Sequence, residues 1–366
     1  MTDGEFPNTK AAFPDIVGKV LSDLKSFPNL RTVTFEFPFE WGEWEQPWTW
    51  LYEPESPYEI RIAEESEGWR ALMLKSFDAL SKNTTSSIEE FEIKRLVATE
   101  VSAFTSKDFR EFLGKLKTFS VSLHDWFEGM ALVEHRQLSF EAFAEKLGNY
   151  FFDHLQSTTD FSLKADRITL LCMGSSVHHV HLALRPSQFP LLRKLALRCI
   201  HICPELADFL IAHLGTLEEL VMTHCQCSLP LLDEDTEVMR WYEFLDALTE
   251  KQPPRLRKLE MTPARQIGEE SLDEFDDERR YRGLCEFLEV EPERGLCKKT
   301  RELQVEDPKR RLFTYASYDE HGRLTRDAKE ELESLLKGED QRAYDRLMAI
   351  VERNRENGNM PTSPDA

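Results

Sequence analysis

Glycine is scarce, 15 of 366 residues, and so are the loops that would cradle a phosphate on backbone N–H groups. No GxSxG elbow, P-loop, GxGxxG turn or HExxH pair occurs, which removes the common signatures of nucleophilic, nucleotide-dependent and zinc chemistry. The expectation is a protein that is not an enzyme and needs no cofactor. CxxC knuckles are also missing, and the seven cysteines follow no framework of spacings, as in a reducing compartment. No apolar run reaches the roughly 18 residues of a membrane span. The opening MTDGEFPNTK lacks the basic and apolar regions of a signal peptide, so a cytoplasmic or nuclear location is expected. Basic residues are in deficit, 46 against 67 acidic, for a net charge of −21. That argues against a nucleic-acid binder, which needs a basic stripe.

What is present is a repeated apolar triple. Leu192-x-x-Leu195-x-Leu197-x-x-Ile200 and Leu217-x-x-Leu220-x-Met222-x-x-Cys225 start 25 residues apart, inside the roughly 20–29 residues of a leucine-rich repeat. Between them Pro204 suits a first helical turn. Leu206, Leu210, Ile211 and Leu214 make one stripe, and Gly215 is expected to close the helix in the left-handed conformation. Further triples start at Leu30, Ile88, Leu116, Ala165 and Leu256. Another, Val177-x-x-Val180-x-Leu182, follows Ala165 too closely for a whole repeat and is either a strand elsewhere or a hairpin. The predicted fold is α/β, an irregular leucine-rich-repeat solenoid over residues 1–324 with a parallel strand ladder and outer helices. A C-terminal capping helix over 325–354 and a disordered tail over 355–366 complete it.

Helices are predicted from Asp15, over 67–82, after a Ser106 cap, after a Ser139 cap and over 236–249. Leu303-x-Val305 and Leu312–Tyr315 read as added strands. Residues 35–58 hold Trp41, Trp44, Trp48 and Trp50 with no period, and serve either as an aromatic anchor for a partner or as a loop packed over the ladder's end. The acidic stretch 269–278 lacks calcium-loop spacing and reads as a solvated insertion. Asn83-Thr84-Thr85 matches a glycosylation sequon that stays unmodified without secretion.

Cys199, Cys203, Cys225 and Cys227, with His178, His179, His181, His201, His213 and His224, invite a metal or thiol reading. The spacing favours structure instead, because Cys225 takes the ninth place of L-x-x-L-x-L-x-x-N/C, where the turning backbone needs a partner.

The C-terminal part carries RLFTYASYDEHGRLT, with Phe313, Tyr315, Tyr318, Asp319 and Gly322. GEDQRAYDRLMAIVERNR follows, with Asp340, Ala343, Tyr344 and Leu347. With the repeats in place, the chain resembles the leucine-rich region of fungal F-box proteins. That resemblance implies the substrate-recognition part of a ubiquitin-ligase adaptor, in which the F-box binds the Skp1 linker and the repeats hold the substrate. A repeat strand is reached by Leu30 with no F-box before it, so Skp1 binding is not expected. The predicted function is therefore a protein–protein interaction module. The alternatives are a scaffold unrelated to ubiquitination or a metal/thiol protein.

Side chains alternate along a strand, so residues between core positions face away from the core. Among them Arg167, Lys194 and Arg198 predict a basic patch, with His179 and His181 joining it if their strand shares that face. Glu219, Lys258 and Glu260 lie further along. The expected partner is a protein with an acidic segment; neither nucleic acid nor membrane is expected.

Overall fold

The computed structural model describes residues 13–36, 56–124, 133–165, 181–228, 239–250, 254–262, 299, 302–303, 305–318 and 324–358. It is a mixed α/β protein that divides into two compact units, Met1–Leu195 and Ala196–Ala366.

In the first unit β1 (Thr32–Glu36), β2 (Glu90–Val97), β3 (Thr118–His124) and β4 (Asp160–Lys164) pair in parallel, and β5 (Lys194–Arg198) begins beside β4. One hydrogen-bond device joins the start of each of these strands to the start of the next. The carbonyl of Arg31 accepts from the N–H groups of Glu89 and Glu90, that of Glu89 from Lys117 and Thr118, that of Lys117 from Thr159 and Asp160, and that of Thr159 from Arg193 and Lys194. Parallel strands need their partners supplied from distant sequence, and this device sets the register each time. Phenylalanine recurs among the buried positions. Phe91, Phe119 and Phe161 occupy equivalent places, and Phe119 and Phe161 stack at 6.2 Å between centroids.

Helices cover one face: α1 (Asp15–Ser22), α2 (Pro57–Ser66), α3 (Gly68–Ser81), α4 (Lys107–Gly114) and α5 (Val133–Tyr150). Ser106 caps α4 by accepting from Phe109 N–H, as its position predicts. Ser139 lies inside α5 rather than capping it, because that helix begins at Val133. None of α1 is buried, and Ile16 is 67 % exposed. Asn83 is buried; its amide accepts from Leu24 N–H and donates to the Leu21 and Leu80 carbonyls, so the sequon asparagine is a structural tie.

In the second unit β5 continues beside β7 (Glu219–Thr223), and β9 (Lys258–Thr262) pairs in parallel with β7. The same device recurs: the Glu218 carbonyl accepts from Arg257 and Lys258. A smaller sheet holds β6 (His201–Ile202), β8 (Gln226–Ser228), β10 (Tyr315–Tyr318) and β11 (Leu324–Arg326) in the order β11-β10-β8-β6. A non-glycine residue with positive φ makes the turn between sheets, Cys199 (φ 54°) and His224 (φ 55°), each seven residues after the leucine that opens its strand. Their N–H groups donate to the Thr223 and Thr262 carbonyls. These bonds hold a conformation that otherwise costs about 1–2 kcal/mol.

Pro204 opens α6 (Pro204–His213) as expected. The helix ends differently: Gly215 has no positive φ, and Thr216 and Leu217 N–H groups bond the His213 carbonyl instead. Helix α7 spans Trp241–Glu250. The expected terminal helix is two, α8 (Ala328–Lys337) and α9 (Glu339–Gly358), broken at Gly338 with φ 66°, and Leu324–Arg326 before them is strand. Leu303 and Val305 lie in helical rather than extended backbone, and of 312–315 only Tyr315 is strand. Residues 355–358 belong to α9; the rest of the predicted tail, the tryptophans 41–50 and the stretch 269–278 lie outside the described residues. No helix among the described residues is long and apolar enough to cross a membrane.

Candidate functional site

In the first unit the strand face turned away from the helices is built in rows by the register. Thr32, Glu90, Thr118 and Asp160 form one row, Thr34, Glu92, Ser120 and Ser162 the next. The third holds Glu36, then Lys94 and Arg95 together, then Ser122 and Lys164. Thr32 and Thr34 hydroxyls donate to Glu90 (2.8 Å) and Glu92 (3.4 Å). The pairing Ile93↔Val121 is followed by Leu96↔Leu123, so two residues of β2 oppose one of β3, a bulge. Arg95 takes φ 55° there, and its N–H donates to Ser122 Oγ at 2.8 Å.

Of the predicted basic patch, Lys194, Arg198 and His181 lie among the described residues. The fourth strand is Asp160–Lys164, ahead of the triple at Ala165, so its outward residues are Asp160, Ser162 and Lys164. Lys194 sits 3.6 Å from Asp160. The apolar pattern missed this strand because Thr158 fills the leucine place. Its buried hydroxyl donates to the Leu116 carbonyl at 2.9 Å, which makes a polar residue tolerable in the core. Phe161-x-Leu163 was the remaining signal. Arg167 and His179 lie outside the described residues. His181 is exposed in a loop, its N–H 3.4 Å from Glu145 Oε1.

In the second unit Arg198 is half-exposed at the end of β5. Glu219, Lys258 and Glu260 do come together, Lys258 Nζ lying 3.9 Å from Glu219 and 3.1 Å from Glu260. Opposite charges alternate there, so that part of the face carries no patch of one sign.

Cys199, Cys203, Cys225 and Cys227 are free and buried. Cys225 Sγ lies 3.9 Å from the Leu197 carbonyl and 3.7 Å from that of Thr223, in the turning role its place predicts. Burial pushes its thiol up to about 12 and that of Cys227 well above the ordinary value. Such thiols stay protonated and are poor nucleophiles or ligands. Among the described residues no three His, Cys, Asp or Glu groups are arranged to hold a metal. A cavity of about 20 Å³ lined by Met222, Trp241, Met261 and Arg311 has room for about one water.

Of the C-terminal signature residues, Tyr315 and Asp340 meet at a buried carboxylate, while Asp319 and Gly322 lie outside the described residues. Asp340 accepts from Tyr315 OH (2.9 Å), Tyr242 N–H (2.9 Å) and the Ser334 hydroxyl. Tyr315 N–H donates to the buried Glu331, and Trp241 Nε1 to the Thr314 carbonyl. Burial raises the pKa of both Asp340 and Tyr315. Tyr344 packs on Phe313, and the Arg311 guanidinium stacks 4.5 Å above Tyr344. The cluster is closed and tied at the start of α7, which makes it structural. Comparison of the chain with models of protein families, with characterised proteins and with solved structures finds no match.

Proposed function

We propose that this chain is a protein–protein interaction module, an irregular leucine-rich-repeat solenoid of the kind that holds the substrate in an F-box ubiquitin-ligase adaptor. The observation that carries the reading is the open strand face, whose hydroxyl and charged side chains stand in rows at strand spacing. A surface of short side chains on a hydrogen-bonded ladder is pre-ordered, so a partner meets it at small entropic cost. The buried thiols and the one-water cavity count against a thiol or small-molecule site.

Photo-crosslinking tests the reading. A benzophenone side chain at Ser120 or at Glu260 is expected to capture a protein partner in cells, identified by mass spectrometry. The same probe at Lys107, on the opposite side chain face of α4, should not. Capture from Lys107 alone would overturn it. For the adaptor half, purified Skp1 is expected to elute apart from this chain on size exclusion, and co-elution at micromolar concentration would reveal a coupling element within it.

A further inference from the structure

The third row of the open face in the first unit gathers cations in a chain of net charge −21. The bulge sets Lys94 and Arg95 opposite Ser122, and Ser122 pairs on its other side with Lys164. Lys94 is already engaged, 3.5 Å from Glu92, with Glu36 directly across from it in register. Arg95 and Lys164 are not: no acid among the described residues lies within ion-pair distance of either. Between them stands a hydroxyl with a proton to give. Ser122 Oγ accepts the Arg95 N–H, which leaves its O–H as a donor with no acceptor among the described residues. β2 and β4 flank β3, so the two cations stand about 10 Å apart, twice the strand spacing. That gap is within reach of two long side chains closing on one carboxylate.

We infer that Arg95, Ser122 and Lys164 form a seat for a carboxylate of an acidic peptide segment laid across the ends of β2, β3 and β4. This rests on the open face being the partner surface. The seat's contribution is orientation and capture rate, because the rest of the chain repels an acidic partner. Arg95 belongs to the seat through its backbone as well: its positive φ is retained by the same bond that orients Ser122.

The probe is a fluorescein-labelled peptide of alternating glutamate and serine, titrated by anisotropy against the full chain at low salt. Arg95→Asn with Lys164→Gln is chosen because asparagine accepts positive φ. The pair is expected to weaken binding about five- to tenfold with an unchanged melt. Ser122→Ala should weaken it about two- to threefold. Lys107→Gln with Lys309→Gln, which removes two exposed cations elsewhere, should leave it unchanged. Equal binding by the Arg95/Lys164 variant, or equal binding of a serine-only peptide, overturns the seat. If the Ser120 crosslink persists while the peptide result fails, the seat alone is lost. If the Ser120 crosslink fails in the unaltered chain, the face reading is lost with it.

Discussion

In the first unit the fourth place of three successive rungs is phenylalanine, Phe91, Phe119 and Phe161; in the second the same place holds Leu220 and Leu259. Around the first set other rings close in, Phe77, Phe104, Phe109 and Phe151, with centroids 4.9 to 6.1 Å apart where they meet. The second unit adds a directional cluster instead, Asp340 with Tyr315, Ser334 and Tyr242, and ties α9 to the ladder through Asn354, whose amide donates to the Pro254 and Leu256 carbonyls. One register is thus held by two chemistries. Ring packing has a weaker directional preference and tolerates apolar replacement of similar volume; a buried hydrogen-bonded carboxylate is far less forgiving.

Leu220→Asp should break the comparison outright on the second side. The site is fully buried, and an unpaired carboxylate there is expected to cost on the order of 5 kcal/mol. A thermal melt by circular dichroism that matches wild type would remove Leu220 from the core. On the first side, Phe119→Ala should cost about 3–5 kcal/mol and Phe119→Leu under about 1.5 kcal/mol. Equal losses in urea denaturation would mean that the aromatic stack is no more tolerant than the polar cluster.

Asp340→Ala strips the acceptor from three donors and should cost about 3 kcal/mol, against about 1 kcal/mol for Tyr315→Phe. In a double-mutant cycle the two should be strongly non-additive, and simple additivity would show that the cluster is not one unit.

A pH experiment sharpens the contrast from the other side. Lys115 in the first unit donates to the Asn83 and Ser86 carbonyls and to the Ser86 hydroxyl, yet burial prevails and lowers its pKa from 10.5 to about 8. Between those values the unfolded chain holds a proton that the folded chain has released, so this group's contribution to stability rises with pH across that window. Lys115→Met should flatten the rise in melting temperature between about pH 8 and 10. An unchanged slope would dismiss Lys115 as its source. The smallest effect belongs to the open face, where Ser120→Ala should stay within about 0.5 kcal/mol of wild type.

Strands were legible where leucine or isoleucine opens the rung, at Leu30, Ile88, Leu116, Leu192, Leu217 and Leu256, because burial of that place leaves an apolar trace. The fourth was not, since a threonine there is satisfied by a hydrogen bond that only the folded ladder supplies. Helix α2 was also missed, although Ser56 and Glu59 form a capping box with Pro57 at the first turn. Its signal stood next to an aromatic, period-free stretch that masked it. For the candidate site, outward alternation located Lys194, Arg198, Glu219, Lys258 and Glu260 on strands β5, β7 and β9, whereas the bulge that pairs Lys94 and Arg95 against Ser122 has no sequence mark. A lysine–arginine pair in a strand looks the same whether or not the backbone turns between them.

The double acceptance at each strand start also bears on how such a chain can lengthen. Successive rungs in the first unit are joined across 58, 28 and 42 residues, yet each strand starts in register, and the shift between β2 and β3 comes only after Ile93. Closing a loop twice as long costs only about 0.6 kcal/mol more, and one carbonyl with two N–H donors offsets that. The connecting arcs are therefore where insertions and deletions can accumulate at little energetic penalty, while a single residue added between the opening leucine and the strand would turn every core side chain outward.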